Sequence, residues 1–319
     1  MVDAGLALLG YSEDCAVELD RIARGMTSLS DDDKAWVGDD GTVQVQMVFE
    51  AVQVNQSYLN QLVPLVDKVV PAPSFDQVRD LLHCIRREWT DEGGLEREPG
   101  FSKLLSTLSG TNMRVLVPGG GLGRLSAEVA ANHYCTHVES DMLKCAVLTD
   151  IVINQRPLLS CSIAPFALDT CNRIERLQNV RQLRFPDIQL DSSCLSRLTF
   201  VTADFIDFSK EQTEAFDAVL TSFFIDSTQH PITTVIRAIS QCLKKGGVWA
   251  NFGALCYGYD GDVQNQPQLE LSADELFMAV SNLGFLIEQK ESIPTRYLSN
   301  NASLMQTALD GLFFVARKQ

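Results

Sequence analysis

The chain has 319 residues, of which 45% are hydrophobic and 21% are charged, and its formal net charge at pH 7 is −15. This composition is typical of a globular protein, with enough chain for one large domain and a sizeable extension. The acid excess disfavours nucleic acid as a partner, because proteins that bind a phosphate backbone gather Lys and Arg into a basic patch.

The N-terminal region, residues 1–105, is predicted to be helical and to act as a lid or a dock. Apolar residues recur near helical spacing from Val45 to Leu62, and residues 75–89 carry a second amphipathic pattern. The apolar stretch at residues 6–9 follows no basic segment, which argues against a signal peptide. No stretch approaches the roughly 18 to 20 apolar residues of a membrane span. We therefore expect a cytoplasmic protein with no membrane partner.

Residues 106–319 are predicted to form the main domain, with an α/β fold. Short apolar runs alternate there with helical stretches, which is typical of βαβ units around a parallel sheet. The pattern predicts a Rossmann-like, doubly wound sheet of seven strands. The predicted strands are Arg114–Val117, His137–Glu139, Leu198–Thr202, Ala218–Phe224, Val248–Phe252, Phe285–Glu288 and Leu312–Ala316.

The cysteines and histidines do not point to a metal site. The chain has nine cysteines and four histidines, without a CxxC pair or another ligand spacing typical of zinc. We expect reduced thiols and no bound metal.

A glycine-rich turn at residues 119–123 is the strongest local signal, because it joins the first predicted strand to an amphipathic helix. Gly119, Gly121 and Gly123 would let the backbone turn sharply and approach a nucleotide-like ligand. Such a turn alone fits NAD, FAD, S-adenosylmethionine (SAM) or only a tight connection. Glu139, at the end of the second strand, favours a cofactor, because its carboxylate can accept both ribose hydroxyls. Its alternative is a solvated acid at a strand end.

The next strand, Leu198–Thr202, is followed by Asp204 and Phe205. We expect Asp204 to accept a hydrogen bond from the adenine amino group and Phe205 to cover the ring. The alternative is an aspartate that caps the following helix, a role that fits Asp207 better.

Ser222 and Asp226 lie at the end of the strand Ala218–Phe224, at the sheet edge where doubly wound folds bind ligands. Ser222 is assigned to the cofactor and Asp226 to catalysis. Methyl transfer is an in-line displacement that needs an aligned, neutral nucleophile. Asp226 can orient an amine or imidazole through its N–H, or accept the released proton. Its alternative is to cap the helix that begins at Pro231.

Tyr257, Tyr259 and Tyr297 are candidates for the wall of the substrate site. Tyr257 and Tyr259 follow the strand that ends near Phe252, on the same predicted edge as Asp226. Their ring faces suit a cation and their hydroxyls suit a polar group. Ordinary surface or core tyrosines are the alternative.

These motifs resemble the carnosine N-methyltransferase family, whose members methylate the imidazole of a histidine dipeptide with SAM. The resemblance covers about residues 75–319 and implies the class I methyltransferase fold. The family shares the Val-Pro-Gly form of the first turn and carries an insertion, here at about residues 157–196. The motifs are Arg87–Trp89, Val115–Leu125, Phe185–Asp187, Ala203–Phe205, Phe223–Asp226, Gly246–Asn251 and Tyr297.

The same resemblance implies that Arg87 binds the methionine carboxylate of SAM, a bidentate contact that suits a guanidinium. The alternative is that Arg86 and Arg87 face solvent. Two positions depart from the family. Gly258 replaces a histidine that follows the tyrosine, and Gln229 replaces a histidine three residues after the aspartate, with His230 displaced by one. The departures put carnosine itself in doubt as the substrate.

The sequence therefore predicts a SAM-dependent N-methyltransferase of a small peptide-like, amine or imidazole metabolite, with Asp226 and Tyr297 at the reacting centre. One alternative is transfer to oxygen, sulfur or an amide of a specialised metabolite. Another is a SAM-binding module without turnover. A dehydrogenase would instead bind NAD. The oligomeric state is left open, with a homodimer among the alternatives.

Overall fold

The computed structural model describes residues 4–37, 42–66, 72–257 and 269–319. In this part of the chain the helices are α1 (Ala4–Leu9), α2 (Tyr11–Thr27), α3 (Asp31–Val37), α4 (Thr42–Leu62), α5 (Phe75–Trp89), α6 (Gly94–Ser106), α7 (Arg124–Ala130), α8 (Met142–Leu148), α9 (Ser192–Ser196), α10 (Phe205–Ser209), α11 (Ile232–Cys242) and α12 (Ala273–Asn282). Short 3-10 helices span Val63–Leu65, Asp91–Gly93 and Gln178–Val180, and a π-helix spans Thr149–Ile153. Across these residues, none of the helices has the length and apolar character needed to cross a membrane.

The strands are β1 (Arg114–Pro118), β2 (Tyr134–Glu139), β3 (Cys161–Ile163), β4 (Leu183–Phe185), β5 (Leu198–Thr202), β6 (Phe216–Ser222), β7 (Leu243–Gly253), β8 (Phe285–Arg296) and β9 (Ala308–Lys318). The chain divides into two compact units. The first comprises Met1–Gly94, Ala146–Gln189 and Leu298–Thr307, and the second comprises Leu95–Cys145, Leu190–Tyr297 and Ala308–Gln319.

The second unit is built on a seven-stranded sheet with the order β5-β2-β1-β6-β7-β9-β8. The strands from β5 to β7 pair in parallel, and β9 runs antiparallel between β7 and β8. Each predicted strand lies in or overlaps a strand of this sheet, so the doubly wound α/β fold predicted from the sequence is confirmed.

Alternate residues of a buried strand point to opposite faces of the sheet, so each face presents apolar side chains. Helices cover both of these faces. Val115 and Val117 of β1 pack in one buried cluster with residues of α6 and α7. Leu116 packs in the other cluster, with residues of α10, α11 and α12. The helices leave free the edge of the sheet at the carboxyl ends of the parallel strands, where the following loops can bind a ligand.

In chain order the second unit begins at Leu95, so most of α6 belongs to it. Phe101 and Leu104 of α6 are 3% and 0% exposed and belong to the same buried cluster as Val115. Apolar side chains of α6 are therefore committed to the sheet of the second unit.

The first unit combines the N-terminal helices with part of the predicted insertion. Asn55 of α4 donates to the carbonyl of Ala164 at 2.9 Å and accepts from its N–H at 2.7 Å. Tyr58 donates to Asp150 at 3.1 Å, and Arg156 forms two hydrogen bonds with the same carboxylate. Buried polar groups thus join segments that are distant in sequence.

Two of the family-like motifs contact each other inside this first unit. The backbone N–H of Asp187 donates to the carbonyl of Trp89 at 3.0 Å. Strands β3 and β4 of the same unit pair in antiparallel orientation. Residues 298–307 are linked to the rest of this unit by the N–H of Leu304, which donates to the carbonyl of Asn172 at 2.7 Å.

Candidate cofactor and acceptor site

The glycine turn after β1 is crowded by side chains that leave no room for a Cβ atom. Gly119 has a φ of 57°, and a Cβ there would lie 2.1 Å from the ring of Phe224. A Cβ on Gly120 would lie 2.3 Å from Nδ1 of His137. The turn therefore requires glycine both for its backbone conformation and for close packing.

Glu139, at the end of β2, organises this turn from below. One carboxylate oxygen accepts from the N–H of Gly121 at 2.9 Å, and the other accepts from Ser140 and Asp141, each at 2.9 Å. The residue is only 7% exposed. The alternative of a solvated acid is therefore wrong. The oxygen that faces Gly121 keeps a lone pair for a further donor, so the group fits a ribose hydroxyl.

Asp204 is the N-cap of α10. Its Oδ1 accepts from the N–H groups of Ile206 at 2.8 Å and Asp207 at 3.2 Å. Assigning the cap to Asp207 was wrong, because Asp207 lies inside the helix and pairs with Lys210 at 2.6 Å. The second oxygen of Asp204 lies 3.1 Å from Nε2 of His230. Its contact with adenine remains a prediction.

Phe205 follows directly and is 5% exposed. Its ring meets that of Phe224 edge-on, with 5.6 Å between the ring centroids. Phe224 in turn lies against Gly119. The two rings form an apolar floor beside the glycine turn, and coverage of adenine by Phe205 remains a prediction.

Ser222 ends β6 with a buried hydroxyl that has no hydrogen-bond partner among the described residues. A buried hydroxyl without a partner costs free energy, so its position suits a ligand that supplies the missing bond. The crowded glycine turn, the Glu139 carboxylate and this hydroxyl together fit a nucleoside-containing cofactor such as SAM.

Asp226 lies just beyond β6 and is 9% exposed. Its Oδ2 accepts from the backbone N–H of Cys256 at 2.7 Å. Burial raises the pKa of the Asp226 carboxyl above its ordinary value, and the hydrogen bond from Cys256 partly offsets this effect. The alternative of a helix cap is wrong, because the N-cap of α11 is Pro231 and receives no side-chain hydrogen bond.

An open surface cleft lies at Asp226. Its lining residues in the described part of the chain are Ile225, Asp226, Thr228, His230, Pro231, Ile232, Tyr257 and Leu269. The Tyr257 hydroxyl donates to the carbonyl of Leu271 at 2.6 Å, so this tyrosine offers the cleft its ring rather than a free hydroxyl.

The other two tyrosines are placed differently. The ring of Tyr297 packs against that of Phe223, with 4.5 Å between centroids and a tilt of 36°. Phe223 follows β6 with a φ of 51°, a strained value for a bulky residue. Tyr259 and Gly258 lie outside the described residues.

Arg87 belongs to the first unit, near the end of α5, and is 7% exposed, while Arg86 is fully buried. The alternative that both arginines face solvent is therefore wrong. The carboxylate of Glu88 lies 3.8 Å from the Arg87 guanidinium. The predicted contact between Arg87 and the SAM carboxylate remains a prediction.

Sequence reasoning missed two histidines of the second unit. His137, in β2 beneath the glycine turn, is 2% exposed and forms a 2.9 Å hydrogen bond with Ser126, and burial lowers its pKa to about 4. Its position two residues before Glu139 is the only signal the sequence offered. The sequence marks His230 only as a histidine one residue away from the position that the family uses. Its pairing with Asp204 depends on how the loop after β6 folds.

Within the described ranges, no three His, Cys, Asp or Glu side chains form a group able to hold a metal ion. The structure brings two sets of predicted site residues together. Asp226 and Tyr257 line one cleft, and Glu139 contacts the glycine turn.

The family model described as carnosine N-methyltransferase matches residues 66–319. The Drosophila melanogaster protein named carnosine N-methyltransferase unmet is 30% identical over 254 residues, which are 76% of this chain and 55% of that protein. The Mus musculus carnosine N-methyltransferase is 29% identical over 79% of this chain and 66% of that protein. The chain thus spans about half to two thirds of these relatives' length.

Among solved structures, the Burkholderia thailandensis 1,6-didemethyltoxoflavin-N1-methyltransferase is 17% identical, and the match covers 78% of this chain and 92% of that one with a TM-score of 0.45. So distant a superposition decides nothing here, and the fold assignment rests on the strand order. From the family match, which covers most of the chain, it follows that the protein belongs to the carnosine N-methyltransferase family of SAM-dependent methyltransferases.

Proposed function

We propose that the protein transfers a methyl group from SAM to a nitrogen of a small peptide-like, imidazole or amine metabolite. One observation carries the proposal: the buried carboxylate of Asp226 lines an open cleft two residues after Phe224, whose ring packs against the glycine turn. A cofactor cradle and an acceptor cleft therefore share one short stretch of chain. The family match supports the same reaction.

The residues that would hold the cofactor are Gly119, Gly121, Gly123, Glu139 and Ser222. Glu139 offers a carboxylate oxygen to the ribose, and Ser222 offers its unpartnered hydroxyl. When bound, SAM supplies an electrophilic methyl group on a sulfonium. Contacts of Asp204 and Phe205 with adenine and of Arg87 with the SAM carboxylate belong to the same proposal, on the strength of the family resemblance.

Asp226 would orient the acceptor. Its Oδ2 is held by the N–H of Cys256, and Oδ1 would accept a hydrogen bond from an N–H of the acceptor. An imidazole held by one nitrogen directs the lone pair of the other away from the carboxylate, which aligns it for displacement. Methylation turns the ring into an imidazolium, and the same carboxylate can take the proton from the nitrogen that it holds. Tyr257 contributes an aromatic wall, and Tyr297 is proposed as a second one.

Asp226→Asn tests this role. We expect unchanged affinity for S-adenosylhomocysteine (SAH) in calorimetric titration and turnover lower by roughly 100-fold or more, the usual loss when a positioned acid–base group is removed. Exposed Asp207, which pairs with Lys210 on α10, provides the matched control Asp207→Asn. Turnover unchanged by Asp226→Asn would remove the residue from the reaction.

The acceptor is to be found with a panel that contains carnosine, related histidine dipeptides, free amines, alcohols and thiols. Carnosine is the first candidate because of the family, while Gly258 and Gln229 depart from the family pattern. Methylation of an alcohol or thiol in preference to nitrogen would replace the proposal with its alternative. SAH binding without turnover on any acceptor would favour a non-catalytic module.

The cytoplasmic location, the absence of a nucleic-acid partner and the domain boundary at residue 105 remain predictions from the sequence.

A further inference from the structure

We propose that His230 is a positioning residue of the acceptor cleft: Asp204 holds its imidazole through Nε2, and Nδ1 accepts a hydrogen bond from the methyl acceptor. The inference deepens the proposed function and rests on it. It assigns to the acceptor two hydrogen-bond donors, one for Asp226 and one for His230.

The hydrogen bond with Asp204 selects between the two tautomers of a neutral His230. Its Oδ1 receives the cap hydrogen bonds of Ile206 and Asp207, which hold the carboxylate in one orientation. Its Oδ2 lies 3.1 Å from Nε2 of His230. An ionised carboxylate only accepts hydrogen bonds, so Nε2 must carry the hydrogen. In a neutral imidazole, Nδ1 is then the acceptor.

His230 and Asp226 line the same cleft. In the Nε2–H tautomer of His230, the two side chains would offer hydrogen-bond acceptors of different kinds, a buried carboxylate and a ring nitrogen. Three of the other lining residues, Ile225, Ile232 and Leu269, are apolar. The lining residues that the structure describes include no Lys or Arg. This lining fits a neutral or cationic acceptor with N–H groups, and it offers no cation to an acceptor that carries an anionic group.

The pair has no strong stabilising function of its own. The side chains of His230 and Asp204 are 37% and 41% exposed, and polar pairs at such exposure contribute little to folding stability. Its effect is to hold the ring and to select one tautomer. Asp204 directly follows Ala203, whose N–H donates to the carbonyl of Glu139 at 3.0 Å.

The first test is the tautomer of His230, measured by long-range ¹⁵N–¹H NMR on the full chain saturated with SAH near neutral pH. The chain has four histidines, and the spectrum of His230→Gln identifies the signals of His230. We expect the Nε2–H tautomer in the native chain and a loss of that preference in Asp204→Asn. A predominant Nδ1–H tautomer in the native chain would overturn the inference.

The second test is steady-state kinetics with the best acceptor of the panel. His230→Ala should raise the KM for the acceptor about 3- to 10-fold, the effect of one neutral hydrogen bond, while the dissociation constant of SAH changes less than about twofold. His230→Gln should recover part of the loss, because a Gln amide can donate to Asp204 and accept from the substrate. Gln229→Ala, at the exposed neighbouring position, serves as the control and should match the native chain.

The two proposals fail separately. A native chain that binds SAH but methylates nothing in the panel overturns the proposed function, while the tautomer measurement needs no turnover and still decides the pairing. A native chain that is active, with an acceptor KM unaffected by His230→Ala, overturns the role of His230 and leaves the proposed function intact.

Discussion

One carboxylate, that of Glu139, serves two purposes at the cofactor cradle. It satisfies the N–H groups of Gly121, Ser140 and Asp141, and it keeps a lone pair on the oxygen that faces the turn. The three backbone donors fix the acid before any ligand arrives. Because the side chain is already ordered, ligand binding costs less conformational entropy.

Glu139→Ala should weaken SAH binding by about 1 to 3 kcal/mol, the scale of a lost charge-assisted hydrogen bond with its buried partners left unsatisfied. Calorimetric titration measures the effect, and thermal unfolding shows whether the fold survives. Glu211→Ala, at an exposed position of the same unit, is the matched control. An affinity equal to that of the control would make Glu139 a purely structural acid.

At the residue scale, the sequence predicted which side chains lie at strand ends but not which hydrogen bonds they form. Asp204 and Asp207 are both placed to cap a helix, and the choice between them depends on a three-residue shift of the helix start, which lies within the uncertainty of a boundary predicted from sequence. The tie between Asp204 and His230 depends on how the loop after β6 folds back. No periodicity in the sequence encodes that path.

Among the elements, the turn between β1 and α7 has the least tolerance for change. Gly120 faces His137, whose ring is fixed by its hydrogen bond to Ser126 and by the edge-on contact with Phe200 at 5.6 Å. A methyl group at residue 120 would have to displace either the histidine or the turn. Displacement of the turn moves Gly121 away from Glu139.

Gly120→Ala should therefore lower SAH affinity at least about tenfold, because strain of about 1 to 3 kcal/mol from overpacking is relieved by moving the cradle. Gly25→Ala is the control, since a Cβ at Gly25 of α2 meets no atom within 4 Å. Calorimetry on both variants decides. Unchanged affinity in Gly120→Ala would mean that His137 yields instead of the turn.

Elements with a strong pattern were predicted and short ones were not. β1, β5 and β6 are apolar runs followed by polar or glycine-rich turns, and such runs are readily recognised. Strands β3 and β4 have only three residues each. Their pairing closes a long loop within the predicted insertion, and no local alternation marks them.

At the scale of the whole molecule, the first unit is assembled from three separate stretches of chain. Asn55 joins two of them, because it bonds both backbone groups of Ala164, a residue with no exposed surface. Its amide also donates to the Tyr11 hydroxyl at 3.1 Å. The Asn55 amide therefore bonds the backbone of Ala164 in the way that a neighbouring strand would.

Asn55→Ala should lower the free energy of unfolding by about 1 to 3 kcal/mol, because it leaves the buried N–H of Ala164 unsatisfied and removes one of the two hydrogen bonds to the Ala164 carbonyl. Gln61→Ala, at an exposed position of the same helix, should cost less than about 0.5 kcal/mol. Denaturant titration of both variants gives the comparison. Equal losses would show that the amide bridge contributes nothing specific.

The interleaving of the two units has a consequence for synthesis. A domain that is continuous in sequence can fold while the ribosome is still translating the rest of the chain. Here Asn55 is synthesised well before its hydrogen-bond partner Ala164. Asn172 is likewise synthesised well before Leu304, whose N–H donates to the Asn172 carbonyl. The helices made first therefore spend most of translation without their full set of neighbours, and the first unit is complete only as residues 298–307 emerge.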